Sequence, residues 1–304
     1  MSKNWPAAVT IKEVGPRDGL QNEKGIVKTE DKIAWINHLS QTGLKHIEIT
    51  SFVNPKWIPA LADALEVAQG ITRVDGVTYS ALVPNLRGLE GALQANLDEV
   101  AVFMSSTELH NKKNINKSID ETFPVLKETV DEALRAGKIV RGYLSTVFGC
   151  PYEGATDVKQ VAYVSEKLLE MGIHELSLGD TIGVANPRQV QEVLEVLLKT
   201  IPANKMAMHF HDTRGTAMAN VLASLEMGIT TFDGALGGLG GCPYAPGASG
   251  NLATDDLLYM LHGMGIKTGV DSDRMMEAAK FIQDKIGRPL PSHALQAATA
   301  VCES

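Results

Sequence analysis

Two histidines one residue apart, His209 and His211 in the segment MHFHDTRGT, carry the strongest chemical signal in the chain. On a strand, residues i and i+2 point to the same side, so both imidazoles can approach one ion. Asp18 can complete such a set with a carboxylate. A mixed nitrogen and oxygen set with open positions suits a divalent cation such as Mg2+ or Mn2+, and zinc is compatible as well. In the competing structural reading, hydrogen bonds to backbone or carboxylate satisfy both rings. The alternate spacing at a strand end favours the metal. Arg17 precedes Asp18, and adjacent residues at a strand end are expected to diverge. Arg17 would then face a substrate, where a guanidinium stabilises an oxyanion or enolate, while Asp18 turns to the ion. A plain ion pair between Arg17 and Glu48 is the alternative, and the two are compatible. Cys242 lies in the run GGLGGCPYAPGASGN among Gly237, Gly238, Gly240, Gly241, Gly247 and Gly250. So many glycines suggest positive φ angles, close backbone approach or a moving lid. A thiol there suits a general acid, a base or a nucleophile better than core packing. The run lacks the Lys-Ser/Thr ending of a phosphate-binding P-loop.

These residues need a scaffold, and the sequence supplies a regular one. Short apolar, β-branched runs fall at 9–14, 44–50, 78–83, 99–104, 139–147, 175–178, 206–210 and 230–235. Segments of helical period follow each, at 28–42, 59–69, 85–95, 119–136, 157–171, 187–198, 215–227 and 252–264. Strict alternation predicts a parallel sheet with helical crossovers, the α/β class. Eight repeats predict a closed (β/α)8 TIM barrel, since closure leaves no strand edge. An additional C-terminal helical segment at 272–286 lies outside the repeat, and one domain over residues 1–304 is expected. Arg17 and Asp18 then follow strand 1, Glu48 closes strand 2, Asp180 follows strand 6, and His209 and His211 end strand 7. All fall at the C-terminal face, where barrel enzymes build their sites.

Composition narrows the function classes. Of 304 residues 44% are hydrophobic and 21% charged, which fits a globular protein with a large core. A net charge of −8 without a Lys/Arg block gives no footprint for nucleic acid, and no apolar run is long enough for a membrane span. Three dispersed cysteines, Cys150, Cys242 and Cys302, do not form a disulfide framework and point to a reducing compartment. The N-terminal MSKNWPAAVT has neither a signal-peptide core nor a transit-peptide pattern, so a cytoplasmic location is expected. Lys112, Lys113 and Lys117 read as a solvated face ahead of a helix, with CoA phosphates as the functional alternative. His38, His46, His110, His174, His262 and His293 lack paired partners and take structural roles.

Four stretches carry a resemblance. EVGPRDGLQNE at 13–23, LGDTIGVANP at 178–187, HFHDTRGTAMAN at 209–220 and GGLGGCPYAPGASGNLATDDL at 237–257 closely resemble the hydroxymethylglutaryl-CoA lyases, in matching order and over nearly the whole chain. The last is the most discriminating. Isopropylmalate and homocitrate synthases share the strand-1 Arg-Asp and the His-x-His pattern but usually lack the cysteine loop. The resemblance implies a divalent metal held by Asp18, His209, His211 and Asn251, with Arg17 on the thioester carbonyl and Cys242 as the catalytic cysteine. Glu48 and Asp180 match acidic positions that support catalysis. The implied reaction cleaves 3-hydroxy-3-methylglutaryl-CoA to acetyl-CoA and acetoacetate, a step of leucine degradation and ketone-body formation. Cys242 is the candidate proton donor, and Asp180 or a metal-bound histidine the candidate base. The implied partner is the small-molecule substrate, with a homodimer among the open assemblies. The alternatives are a lyase or carboligase for a related 3-hydroxyacyl-CoA, or a non-catalytic barrel that binds CoA or metal.

Overall fold

The computed structural model describes residues 5–23, 25–241 and 250–300. Cys242 and Cys302, both singled out by the sequence, lie outside them. Among the described residues, eight parallel strands close into a barrel in sequential order. They are β1 (Thr10–Glu13), β2 (His46–Ser51), β3 (Thr78–Leu82), β4 (Glu99–Ser105), β5 (Ile139–Ser145), β6 (Glu175–Gly179), β7 (Met206–His209) and β8 (Thr231–Gly234). Closure is made by β1 on β8, with Thr10 opposite Thr231 and Glu13 opposite Gly234. Outside the barrel run α1 (Thr29–Ser40), α2 (Ala64–Gly70), α3 (Leu86–Gln94), α4 (Glu108–Ile115), α5 (Ile119–Arg135), α6 (Val158–Glu170), α7 (Pro187–Leu197), α8 (Ala217–Glu226), α9 (Thr254–Gly263), α10 (Ser272–Ile286) and α11 (His293–Ala300). None is long and apolar enough to cross a membrane.

Local sequence explains where the helices begin and end. Ser118 and Glu121 form a capping box at the start of α5, and each side chain satisfies a backbone N–H that the first turn leaves free. Asn186 caps α7 with Pro187 in the first turn, where a missing N–H costs nothing. Asp271 caps α10, and Gly287 ends it in the left-handed conformation. One hydrophobic cluster runs from Val9 to Leu295 and joins the outward strand faces to the helices.

Two helices, α4 and α11, were not expected. The polar α4 carries no apolar period that a sequence pattern could register; Lys112 and Lys113 stand exposed on it, and Lys112 pairs with Glu108 at 3.2 Å. Inside the barrel, charge replaces the branched aliphatic layers usual for this architecture. Lys12 reaches Glu175 at 3.0 Å and Glu99 at 3.6 Å, while Arg141 reaches Glu175 at 2.8 Å and Asp233 at 2.6 Å. This network forms a rigid polar floor below the C-terminal mouth. Each charge is paired, and all but the half-buried Glu175 are buried, the condition under which buried charges persist.

Candidate active site

Strand β1 does not simply run into a loop. Gly15–Gly19 form a single π turn in which the amides of Arg17, Asp18 and Gly19 all point to the Val14 carbonyl, at 3.1, 2.7 and 3.4 Å. Such turns are rare and often mark functional sites. Glu13 holds this turn. Its Oε1 accepts from the amides of Gly15 (2.9 Å) and Leu236 (2.8 Å), and its Oε2 accepts from the Thr254 hydroxyl (2.6 Å). A Cβ at position 15 would lie 2.5 Å from Glu13 Oε1, so a side chain there would displace the carboxylate that holds the turn.

The turn corrects one sequence expectation. Arg17 and Asp18 converge instead of diverging: the Arg17 guanidinium donates through Nη1 to Asp18 Oδ1. In a helical turn, neighbouring side chains are not thrown to opposite sides, and opposite charges in a low-dielectric site attract. Arg17 Nε also donates to Glu48 Oε2 at 2.6 Å, so the expected Arg17–Glu48 pair is present. Glu48 sits inside β2 and not at its end, beside a register shift between Glu48 and Thr50. Tyr143 donates its hydroxyl to Glu48 Oε2 at 3.1 Å, and its ring lies under Arg17 at 5.2 Å.

The histidines project together as expected, with Nε2 of His209 3.3 Å from Nε2 of His211. With Asp18 they form a buried group whose ligand atoms lie within 4.8 Å of one another. Burial and then the neighbouring His209 lower the pKa of His211 to about 4, so its ring is neutral and its lone pair available. Burial opposes ionisation of Asp18, but Arg17 and then the histidines outweigh it and hold the carboxyl at about 2. A deprotonated carboxylate and neutral imidazoles are the protonation states a cation requires.

Asn251 completes the group from the other side. It bridges His211 across the end of β7, and its Nδ2 donates to Asp18 Oδ2 at 2.8 Å. Among the described residues, its Oδ1 is buried without a hydrogen-bond partner, as is Oε1 of Glu48. A buried acceptor normally has a donor, so an orphaned amide oxygen beside two facing imidazole nitrogens and a carboxylate fits a divalent ion. Spacing alone could not find Asn251, because 40 residues separate it from His211. Gly240 permits the approach: its φ is +90°, and a Cβ there would lie 2.6 Å from Asn251 Nδ2.

Asp180 is placed differently. Its amide bonds to the His209 carbonyl at 2.9 Å, but its carboxylate turns into its own loop. There Oδ1 accepts from Val184 N (2.9 Å) and Oδ2 from Ala185 N (3.1 Å). Burial raises its pKa to about 6, partly offset by those two amides. Cys150, at the rim by sequence, is buried, and its Sγ takes a hydrogen bond from Thr107 Oγ1 at 3.1 Å.

Comparison with known proteins gives a consistent result. The chain is 63% identical over 292 residues to hydroxymethylglutaryl-CoA lyase YngG of Bacillus subtilis, covering 96% of this chain and 98% of the relative. A crystal structure of the Bacillus subtilis HMG-CoA lyase superposes with a TM-score of 0.96 at 62% identity, covering 97% of this chain and 99% of that one. An HMG-CoA lyase from Acinetobacter baumannii, solved in complex with coenzyme A and 3-methylmalate, superposes with a TM-score of 0.91 at 41% identity over 96% of this chain and 95% of that one. The family model described as HMGL-like matches residues 8–282, and with the barrel and its polar mouth already in view, the chain belongs to the HMGL-like family.

Proposed function

We propose that this protein cleaves (S)-3-hydroxy-3-methylglutaryl-CoA to acetyl-CoA and acetoacetate. The observation that carries the reading is a nitrogen and oxygen ligand group placed beside a buried guanidinium at one barrel mouth, in a chain 63% identical to a lyase of that name over nearly its full length. Asp18, His209, His211 and Asn251 would hold Mg2+ or Mn2+. Such an ion supplies Lewis-acid polarisation and orients a hydroxyl and a carboxylate of the substrate.

The chain's own residues account for the rest. Cleavage of the C2–C3 bond leaves negative charge on the thioester oxygen of an acetyl-CoA enolate. Arg17 has committed Nε and Nη1 to carboxylates, and Nη2 remains to meet that charge in a site whose burial strengthens the interaction. Glu48 fixes the guanidinium in place, and Tyr143 fixes Glu48. Asp180 is read as a group that orders the loop after β6 at the mouth of the site, because both carboxylate oxygens already accept from that loop's amides. Oε1 of Glu48, without a partner among the described residues, makes that residue the better-placed acceptor of the substrate's hydroxyl proton. Cys242 would return a proton to the acetyl carbon. The reading extends to one domain over residues 1–304, a cytoplasmic location, and a place in leucine degradation and ketone-body formation.

The test is a coupled assay of the purified chain with HMG-CoA and Mg2+. Acetyl-CoA and acetoacetate are expected in equal amounts. No cleavage, or a different product pair, would sink the proposal.

A further inference from the structure

His209 differs from His211 in what stands behind it. His211 Nδ1 is buried with no hydrogen-bond partner among the described residues. His209 Nδ1 lies 3.2 Å from Oδ2 of Asp233. The two residues are register partners on β7 and β8, so their side chains enter the barrel at the same level. Asp233 is itself immobilised. Arg141 reaches across from β5 and donates Nη2 to Oδ1 at 2.6 Å and Nη1 to Oδ2 at 3.2 Å, and Ser177 on β6 donates its hydroxyl to Oδ2 at 2.8 Å.

We propose that Asp233 is a positioning residue that fixes the tautomer and ring orientation of His209, and through it the affinity of the site for a divalent cation. A carboxylate held against a guanidinium can only accept, so the neutral imidazole must carry its proton on Nδ1. The bare Nε2 then faces His211 Nε2 and lies 3.7 Å from Asp18 Oδ2. Partners of this kind, behind a ligating histidine, orient the ring and raise its basicity, and losing one typically costs about 10–100-fold in metal affinity. Arg141 and Ser177 form a second tier, because they decide where the carboxylate stands. The proposal rests on the metal reading of the site, and two measurements separate their failures.

The first needs no ion. Nitrogen-15 NMR of the metal-free wild-type chain at about pH 8, where histidines are neutral, should show His209 with Nδ1 protonated and Nε2 bare. His209→Gln assigns the signal by removing it. A His209 protonated on Nε2 overturns the proposal. The second titrates Mn2+ by calorimetry into wild type and into the double variant Asp233→Ala with Arg141→Met. The paired change leaves no lone buried charge at Arg141, and Glu175 keeps its contact with Lys12. Binding about 10–100-fold weaker at a retained melting temperature is expected. Unchanged affinity in the folded variant overturns the proposal. If wild type binds no Mn2+, the metal reading fails, and the tautomer still decides what Asp233 does.

Discussion

Arg17 enters the site with Nε and Nη1 already bonded to carboxylates, which fixes the guanidinium and the direction in which Nη2 points before substrate binds. Its pKa is raised: burial works against the charge, but Glu48 and Asp18 more than compensate, so it is a permanent cation. Charge that exists mainly in the transition state is what such a group stabilises best. Arg17→Gln is therefore expected to lower kcat by roughly 100–1000-fold, with a much smaller change in KM. Steady-state kinetics on a variant whose melting curve is normal would check this, and a loss confined to KM would make Arg17 a substrate anchor. Cys242 lies outside the described residues, and its role rests on the sequence. A thiol whose ordinary pKa is about 8.5 can deliver a proton near neutrality, and a serine hydroxyl cannot. Cys242→Ser should keep metal binding while kcat falls by at least about 100-fold. Near-normal turnover would leave the cysteine a packing residue.

At the scale of elements, Glu13 links the pieces that carry the proposed ligands. One carboxylate at the end of β1 ties the π turn that bears Asp18 to the segment after β8 and to Thr254 at the start of α9. Burial raises the Glu13 pKa to about 7. Hydrogen bonds from Thr254, Leu236 and Gly15 hold it down in part, and the charge of Asp255 pushes it further up. A folded-state value above the ordinary 4.5 means that the folded chain keeps a proton the unfolded chain has released. Its contribution to stability is thus complete below about pH 4.5 and is lost as pH rises through about 7, amounting to at most roughly 3–4 kcal/mol. Glu13→Gln keeps the shape and two acceptor contacts and lets Thr254 accept instead of donate. Denaturant melts of the two proteins between about pH 4.5 and pH 8 should show a shallower decline for Glu13→Gln. Parallel slopes would show that Glu13 is already ionised in the fold.

For the molecule as a whole, the proposed ligand group draws on distant parts of the chain. Asp18 comes from the first strand unit, His209 and His211 from the seventh, and Asn251 from the eighth. An ion bound there joins both sides of the β1–β8 closure and binds only the folded state. It should raise stability by about 2.7 kcal/mol at a concentration 100 times its dissociation constant. Thermal melts with excess EDTA and with Mn2+ should therefore separate, and Asp18→Asn should abolish the separation. Identical melts for the wild-type protein would remove the metal from the proposed function.

Eight repeats of apolar strand and amphipathic helix determined the barrel, because the periods of 2 and 3.6 residues are local properties of the chain. The same rhythm placed Asp18, His209 and His211 at one face; the i, i+2 spacing brought the imidazoles to one side, and the bridge of His211 to Asn251 past the end of β7 holds the second in place. Other features were not local. The convergence of Arg17 on Asp18 depends on a π turn that Glu13 holds from behind, through bonds to residues more than 220 positions away. The amide of Asn251 reaches the ligand group only because β7 and the end of the glycine-rich segment bridge in space and Gly240 leaves room. Asp233 carried no signal in an apolar strand pattern, and its place behind His209 follows from strand register and from an arginine on the far side of the barrel. Sequence pattern thus decided which elements form and which faces they present. The partners of each buried polar group were decided by closure of the barrel, which brings remote strands within hydrogen-bond distance and withdraws the water that would otherwise satisfy them.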